Sequence, residues 1–188
     1  MSKRWGFVIN TKRCIGCRTC TVACKMENDV PLGEFRLKVL NPQNSMVFDK
    51  PEGKYPYTKL SWFTVPCQHC EEAPCVTVCP TGASKIRDDG IVFVDEDKCI
   101  GCKYCVWSCP YDARYFDQEK NIVDKCTMCM HRIDKGKQPM CVEVCPGRAI
   151  TFGDLNDPSS EVYKLVHSNP VRILKPEQGT KPSVYYII

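Results

Sequence analysis

The sequence predicts an α+β protein made of two similar small modules, together with a small β insertion and a C-terminal extension of one helix and short strands. Three observations predict this fold. Sixteen of the 188 residues are cysteines, and they fall into four sets of four. The stretch Cys14-Ile15-Gly16-Cys17 recurs as Cys99-Ile100-Gly101-Cys102, which indicates an internal duplication. Only 43% of the residues are hydrophobic, cysteines included, so hydrophobic burial alone would make a thin core at this length.

The spacing of the cysteines is that of iron-sulfur ligands. The first and third sets have the spacing C-x2-C-x2-C-x3-C, the second has C-x2-C-x4-C-x3-C, and the fourth has C-x2-C-x11-C-x3-C. In such a pattern three cysteines of a set bind one cluster, and the fourth crosses to the other cluster of a pair. Pro80, Pro110 and Pro146 follow the last cysteine of three sets, as in bacterial ferredoxins, whereas Lys25 follows it in the first set. We therefore expect four [4Fe-4S] clusters.

The crossing of the fourth cysteine predicts which residues share a cluster. Two repeat units stand back to back between Cys67 and about Phe116, so the second and third sets pair with each other, and the first and fourth sets pair across them. All sixteen cysteines are then iron ligands, and no position is left open for catalysis. The predicted sites are site I, with Cys14, Cys17, Cys20 and Cys145; site II, with Cys126, Cys129, Cys141 and Cys24; site III, with Cys67, Cys70, Cys75 and Cys109; and site IV, with Cys99, Cys102, Cys105 and Cys79.

Two other uses of cysteine compete with iron. A disulfide scaffold would need a secreted chain, and the first ten residues have no apolar stretch long enough for a secretory signal, so no export signal is expected. Zinc stays an alternative at the fourth set, whose x11 gap resembles an all-cysteine zinc site. Zinc does not suit the first and third sets, because four cysteines within eleven residues are denser than one tetrahedral ion uses.

The repeat unit consists of a strand, a cysteine loop, a short helix and a second strand, which is a ferredoxin half-repeat. Residues 1–30 with 117–155 are predicted to form an outer ferredoxin-like module for sets one and four, and residues 65–116 an inner module for sets two and three. Residues 31–64 are predicted to be the β insertion, with turn residues at 41–44. Residues 156–188 form the C-terminal extension, with a helix that ends at about Ser168. Its last strand, over residues 183–188, is either an edge strand of the chain's own sheet, which we favour, or a segment that docks on a partner.

Charged and aromatic residues stand in or beside the ligand loops. Positive charge close to a cluster stabilises its reduced form, but for any single one of these residues we favour solvated loop surface. The residues are Arg18, Lys25, His69, Lys98, Lys103, Lys125, His131 and Arg132. Trp107 is predicted to pack in the core. His69 and His131 are not expected to be ligands, because cysteine already fills all sixteen positions.

The net charge of +4 comes from 26 basic and 22 acidic residues that are interleaved along the chain. Interleaving leaves no basic patch, so nucleic-acid binding is not expected. The positive excess is better explained as compensation for negatively charged clusters. No apolar run approaches the roughly 18 residues of a membrane-spanning helix, so no direct membrane span is expected.

Several motifs around the cysteines resemble a single family. They are the stretches at residues 23–28 (ACKMEN), 79–83 (CPTGA), 109–115 (CPYDARY), 131–137 (HRIDKGK) and 152–155 (FGDL). With the order of the four sets, they resemble the four-cluster electron-transfer (beta) subunit of molybdopterin oxidoreductases. The likeness is greatest to the polysulfide and thiosulfate reductase and dimethyl sulfoxide reductase branch, and residues 172–182 (RILKPEQGTKP) are similar to the C-terminal signature of the polysulfide reductases.

This resemblance implies a subunit of anaerobic respiration that does no substrate chemistry itself. It would relay electrons between a membrane quinone-binding subunit, or another donor, and a catalytic subunit that holds a molybdenum or tungsten pterin, with the outer module facing the catalytic subunit. Such complexes are often exported by the signal of the catalytic partner, so we expect a membrane-associated complex, on the periplasmic side by co-export or on the cytoplasmic side. The alternatives are a polyferredoxin-type carrier, the small subunit of a cytoplasmic tungsten aldehyde oxidoreductase, and a zinc-rich scaffold protein.

Overall fold

A computed structural model describes residues 2–41, 46 and 51–188. The turn predicted at 41–44 lies outside these residues, apart from Asn41. Within them the strands are β1 Trp5–Asn10, β2 Leu37–Leu40, β3 Phe63–Pro66, β4 Ser84–Ile86, β5 Val92–Val94, β6 Arg114–Asp117, β7 Ile122–Lys125, β8 Ile150–Asp154, β9 Val171–Arg172 and β10 Val184–Ile187. The helices are α1 Thr19–Glu27, α2 Pro74–Thr77, α3 Tyr104–Trp107, α4 Met130–Ile133, α5 Met140–Glu143 and α6 Glu161–Ser168. Short 3-10 helices cover Glu96–Lys98 and Pro176–Gln178.

The predicted repeat unit occurs four times, and the units form a closed cycle. They run from β1 to β2, from β3 to β4, from β5 to β6 and from β7 to β8. The last strand of each unit pairs antiparallel with the first strand of the next, as β2 with β3, β4 with β5 and β6 with β7. The cycle closes because β8 returns to pair antiparallel with β1, where Phe152 lies opposite Phe7. The predicted α+β class is confirmed.

The C-terminal strand is an interior strand of the largest sheet, so the edge position predicted for it is wrong. The strand order is β8-β1-β10-β9, with β10 parallel to β1 and antiparallel to β9. A strand that has neighbours on both sides and is covered on both faces is a continuous apolar run without alternation. Residues 184–187 are such a run, and Val184, Tyr186 and Ile187 are buried. The hydroxyl of Tyr186 donates to the carbonyl oxygen of Thr64 at 3.1 Å.

The division into two modules stays a prediction, and its inner boundaries fall within paired strands. The boundary at 64/65 lies inside β3, which is hydrogen-bonded to β2, and that at 116/117 lies inside β6, which is hydrogen-bonded to β7.

The helix predicted in the C-terminal extension is present as α6. It packs on the main sheet through Val162, which contacts Val8 and Ile187.

Cysteines make up part of the hydrophobic core. Cys20, Cys24 and Cys141 pack in one buried cluster with the aromatic and aliphatic side chains of β1, β8 and β10. Because these thiols replace ordinary core residues, whatever they bind contributes to the interior. In the part of the chain that the structure describes, no helix has the length and apolar character needed to span a membrane.

Candidate iron-sulfur centres

All four ligand loops turn at the same position, one residue before the second cysteine of the set. Gly16 and Gly101 have a φ of 67° there, and His69 and Met128 have φ values of 43° and 53°. Such a conformation suits glycine, whereas it costs a residue with a side chain about 1–2 kcal/mol. His69 and Met128 are both completely enclosed, so packing holds them in this conformation. The four loops therefore share one backbone turn although their residues at that turn differ.

The exit from the first set differs from that of the other three. In the sets that end in Cys-Pro, the residue three positions after the cysteine has a positive φ, as at Gly82, Asp112 and Arg148. After Cys24 there is no proline, and α1 continues to Glu27. Because Lys25 keeps the backbone N–H that proline lacks, the helix has nine residues, whereas α2, α3 and α5 have four each.

The structure gathers the predicted ligands of sites I, III and IV around three cavities of nearly equal size. The four cysteines of site I line a cavity of about 20 Å³, and those of sites III and IV line cavities of about 20 Å³ each. Each cavity is lined by the cysteines of one predicted site and by no cysteine of another. The equal volumes indicate that the same group fits all three.

The cysteines of site II also converge, from both ends of the chain. The side-chain amide of Asn28 lies 3.7 Å from the sulfurs of both Cys24 and Cys129 and donates to them. Burial, followed by the charges of Cys126 and Cys129, raises the pKa of Cys24. Burial and then the charges of Cys126 and Cys24 also raise the pKa of Cys141. The structure therefore brings together all four groups predicted from the spacing.

The geometry of these thiols fits a multi-iron cluster. All sixteen are free of disulfide bonds, so the chain is not a disulfide scaffold. Among the residues that the structure describes, no three Cys, His, Asp or Glu side chains converge tightly enough to hold one metal ion. At sites I, III and IV the four cysteines instead line one shared cavity, an arrangement that suits a [4Fe-4S] cluster.

The surroundings of the thiols favour bound thiolates. Backbone N–H groups donate to sulfur at Cys79, Cys99, Cys126 and Cys145, at 3.3–3.4 Å. At Cys20, Cys70 and Cys126 burial dominates and raises the pKa of each thiol to about 12. Thiols must lose their protons to serve as ligands, so these buried cysteines would release protons on binding a cluster.

Exposure and connectivity place the four sites in a line. Cys17 of site I and Cys102 of site IV are exposed, whereas every cysteine of site II is buried and those of site III are at most partly exposed. Helix α1 carries Cys20 of site I and contacts site II through Cys24. Cys126 of site II packs in one cluster with Cys67 of site III. Since sites III and IV exchange their fourth cysteines, the order is I, II, III, IV.

The loop residues beside the ligands divide into two groups. Lys98, Lys103 and His131 are exposed, as predicted. The prediction of solvated loop surface is wrong for His69 and Lys125, because both side chains are 0% exposed. Arg18, Lys25 and Arg132 are intermediate.

Two further side chains were placed wrongly or not recognised from the sequence. Trp107, predicted to lie in the core, is 88% exposed beside site IV. Arg114 was not recognised as a site residue, yet it is buried and lines the cavities of both site III and site IV. Its Nη2 donates to the sulfur of Cys75 at 2.9 Å and to Oγ of Ser84 at 2.8 Å. The available signal was its place in the stretch at residues 109–115 (CPYDARY), four positions after Pro110.

Comparisons with known proteins agree with this geometry. A 4Fe-4S dicluster domain matches residues 58–155, and a second 4Fe-4S dicluster domain matches residues 13–83. The B subunit of tetrathionate reductase from Salmonella typhimurium is 44% identical, over 98% of this chain and 72% of the relative. The B polypeptide of polysulfide reductase from Wolinella succinogenes is 40% identical, over 100% of this chain and 95% of the relative.

A third relative adds the type of subunit. It is a Halobacterium salinarum protein assigned as an iron-sulfur subunit of dimethyl sulfoxide reductase, 43% identical over 97% of this chain and 78% of the relative. The resemblance stated from the motifs is thereby confirmed. The chain belongs to the family of iron-sulfur electron-transfer subunits of the molybdopterin oxidoreductases, in the branch that includes the polysulfide, tetrathionate and dimethyl sulfoxide reductases.

Proposed function

We propose that this chain carries four [4Fe-4S] clusters, held by the sixteen cysteines of sites I to IV, and relays electrons through a reductase complex. The observation that supports this most strongly is the linear order of the sites, with one exposed cysteine at each end, Cys17 and Cys102. When bound, such clusters supply one-electron carriers. In this proposal all sixteen cysteines hold clusters and none is left for substrate chemistry, so the chain is a non-catalytic subunit.

The protein buries the cysteines in the middle of this line and leaves cysteines at its two ends exposed to solvent. All four cysteines of site II are buried, and a dry, low-dielectric environment limits exchange with solvent oxidants. At the ends, exposed apolar side chains stand beside the ligands in the chain, with Ile15 and Val22 next to ligands of site I, and Ile100, Tyr104 and Trp107 next to ligands of site IV. Exposed apolar side chains of this kind mark protein contacts when they cluster.

The assignment of a partner to each end rests on the family resemblance. The end at site I faces a catalytic subunit with a molybdenum or tungsten pterin, and the end at site IV faces the electron donor, a membrane-anchored quinone-binding subunit. The relatives are named as single subunits of their reductases, which supports an assembly of several subunits. The proposed location is a membrane-associated complex, on the periplasmic side by co-export with the catalytic subunit or on the cytoplasmic side.

The cluster content is tested on the anaerobically purified protein. We expect about sixteen iron atoms and as many acid-labile sulfides per chain, from four clusters of four irons. An EPR redox titration is expected to show interacting [4Fe-4S] signals. Zinc at the site II cysteines, or an iron content well below this value, would refute the four-cluster proposal.

The partner assignment is tested by anaerobic co-purification with variants at the two ends. Trp107→Glu is expected to lose the partner at site IV and to keep the catalytic subunit. Val22→Glu, at the matching position two residues after Cys20, is expected to lose the catalytic subunit and to keep the partner at site IV. Tyr57→Glu changes an exposed side chain that belongs to none of the ligand loops and should keep both partners. A chain that purifies alone at full yield would support a polyferredoxin-type carrier, and a single soluble tungsten partner would support the aldehyde oxidoreductase alternative.

A further inference from the structure

A fully buried lysine lies at the step between sites II and III. Lys125 is the last residue of β7 and directly precedes Cys126, the first ligand of site II. Its side chain is 0% exposed. The ammonium nitrogen donates to the carbonyl oxygen of Cys126 at 2.7 Å and to the carbonyl oxygen of Val92 on β5.

The second of these contacts connects Lys125 to the ligand loop of site III. The amide of Val92 donates to Nδ1 of His69 at 3.1 Å, and His69 stands between the first two ligands of site III. Val92 also packs in one cluster with Cys67 of site III and Cys126 of site II. The ammonium group is therefore enclosed between the ligand loops of two successive sites.

The charge of Lys125 has no acidic partner there. Among the described residues, no carboxylate forms an ion pair with it, and the acceptors that hold it are neutral carbonyl groups. Burial has the largest effect and lowers the pKa of Lys125, and the guanidinium of Arg114 lowers it further, whereas the thiols of Cys67, Cys126 and Cys75 act in the opposite direction and favour the charged form. Burying an unpaired ammonium group is costly, so the negative charge that compensates it comes from the ligands of the two sites.

We propose that Lys125 is a positioning residue that raises the reduction potentials of the clusters at sites II and III together. This inference rests on the proposed function, because it needs a cluster at each site. A reduced cluster carries one more negative charge than the oxidised form, and a fixed positive charge in a low-dielectric interior stabilises it. One lysine placed between two sites favours reduction of both, and so keeps the inner pair accessible to electrons arriving from the exposed ends.

The test compares lysines that precede a ligand cysteine in buried and in exposed positions. Lys125→Met removes the charge at similar length, and Lys125→Gln removes the charge while keeping an N–H donor. Lys98→Met is the matched control, since Lys98 directly precedes Cys99 of site IV but its side chain is 56% exposed. Each holoprotein is titrated by EPR, with and without a soluble paramagnetic relaxation agent that affects sites I and IV first because their ligands reach the surface.

For both Lys125 variants we expect the reduction equilibrium of the two shielded clusters to shift about tenfold or more toward the oxidised form. A tenfold shift corresponds to about 59 mV for a one-electron couple. The clusters affected by the relaxation agent should shift less, and Lys98→Met should shift every cluster by less than tenfold, because solvent screens an exposed charge.

Three results would overturn the inference. The first is that the shielded clusters keep their reduction potentials in a fully loaded Lys125→Met or Lys125→Gln protein. The second is an equal shift in the reduction potentials of all four clusters. The third is loss of iron from both variants, which would assign Lys125 to packing alone. A wild-type protein without four clusters would instead refute the proposed function, so the two failures are distinguishable.

Discussion

Three glycines beside the ligand cysteines have nearly the same left-handed backbone in different surroundings, which allows backbone strain to be separated from steric clash. The φ values are 67° at Gly16, 64° at Gly82 and 67° at Gly101. A Cβ atom built at Gly82 would meet no heavy atom within 4 Å. At Gly16 it would lie 2.5 Å from two ring carbons of Trp62, and at Gly101 it would lie 2.7 Å from the carbonyl oxygen of Asn121.

Alanine substitutions are expected to destabilise the folded protein in the order Gly82, Gly16, Gly101. Gly82→Ala adds only the backbone cost of about 1–2 kcal/mol. Gly16→Ala adds an overpacking cost of about 1–3 kcal/mol, because the indole ring of Trp62 has to shift. Gly101→Ala meets backbone in the turn between β6 and β7, which yields less readily than a side chain, so we expect the upper end of that range.

The assay is the rate at which visible cluster absorbance is lost in guanidinium under anaerobic conditions. If the lost stability appears mainly in the unfolding rate, 1–2 kcal/mol corresponds to an acceleration of about 5- to 30-fold for Gly82→Ala. Gly16→Ala should then lose its clusters at least about fivefold faster again. Equal rates for Gly16→Ala and Gly82→Ala would refute the steric argument, and so would a slower loss in Gly101→Ala than in Gly82→Ala.

Three further predictions concern charge and exposure. Arg114→Met is expected to lower the reduction potentials of the clusters at sites III and IV in an EPR titration, because Nη2 of Arg114 donates to the sulfur of Cys75. Arg114→Lys keeps the charge and should recover most of the lost potential. Unchanged potentials in Arg114→Met would contradict this prediction. His131 and Arg132 hold the pKa of Glu27 below its ordinary value of 4.5, so this carboxylate stabilises the folded state above that pH and the contribution is lost as the pH falls through the folded pKa. Glu27→Gln should therefore show a shallower rise in the rate of cluster loss below about pH 4.5, and an identical pH profile would count against the ion pair. Ferricyanide is expected to bleach first the EPR signals that a soluble relaxation agent broadens, because Cys17 and Cys102 are exposed; loss of the shielded signals first would exclude the linear order.

The grouping of the cysteines could be predicted from the sequence because it depends on local spacing and on one crossing rule. Sites I, III and IV appear as separate cavities with the expected four cysteines each. The shared turn of the four loops could be anticipated at Gly16 and Gly101. At His69 and Met128 there is no glycine to indicate a positive φ, and only the enclosing packing forces it.

The exposure of side chains near the ligands could not be predicted, because it depends on how the four units pack against one another. Lys125 and His69 are residue types that usually lie on the surface of a loop. Here both side chains hydrogen-bond to the backbone of Val92 on β5, and this contact with a distant strand leaves no room for water. Tryptophan usually packs in a hydrophobic core, but Trp107 lies on the four-residue helix α3 with its side chain turned outward. The interior position of β10 follows from its pairing with β1, which is a contact between opposite ends of the described chain.

The closed cycle of strands also determines when each site can be completed during synthesis. The predicted ligands of sites III and IV all lie within residues 67–109, whereas those of site I include Cys145 beside Cys14 and those of site II include Cys141 beside Cys24. Because a chain emerges from the ribosome with its N-terminus first, the first four cysteines appear earliest and are among the last to be fully coordinated. The first loop therefore stays a partial ligand set for most of translation, and it is the part of the nascent chain most open to oxidation or to capture of a wrong metal.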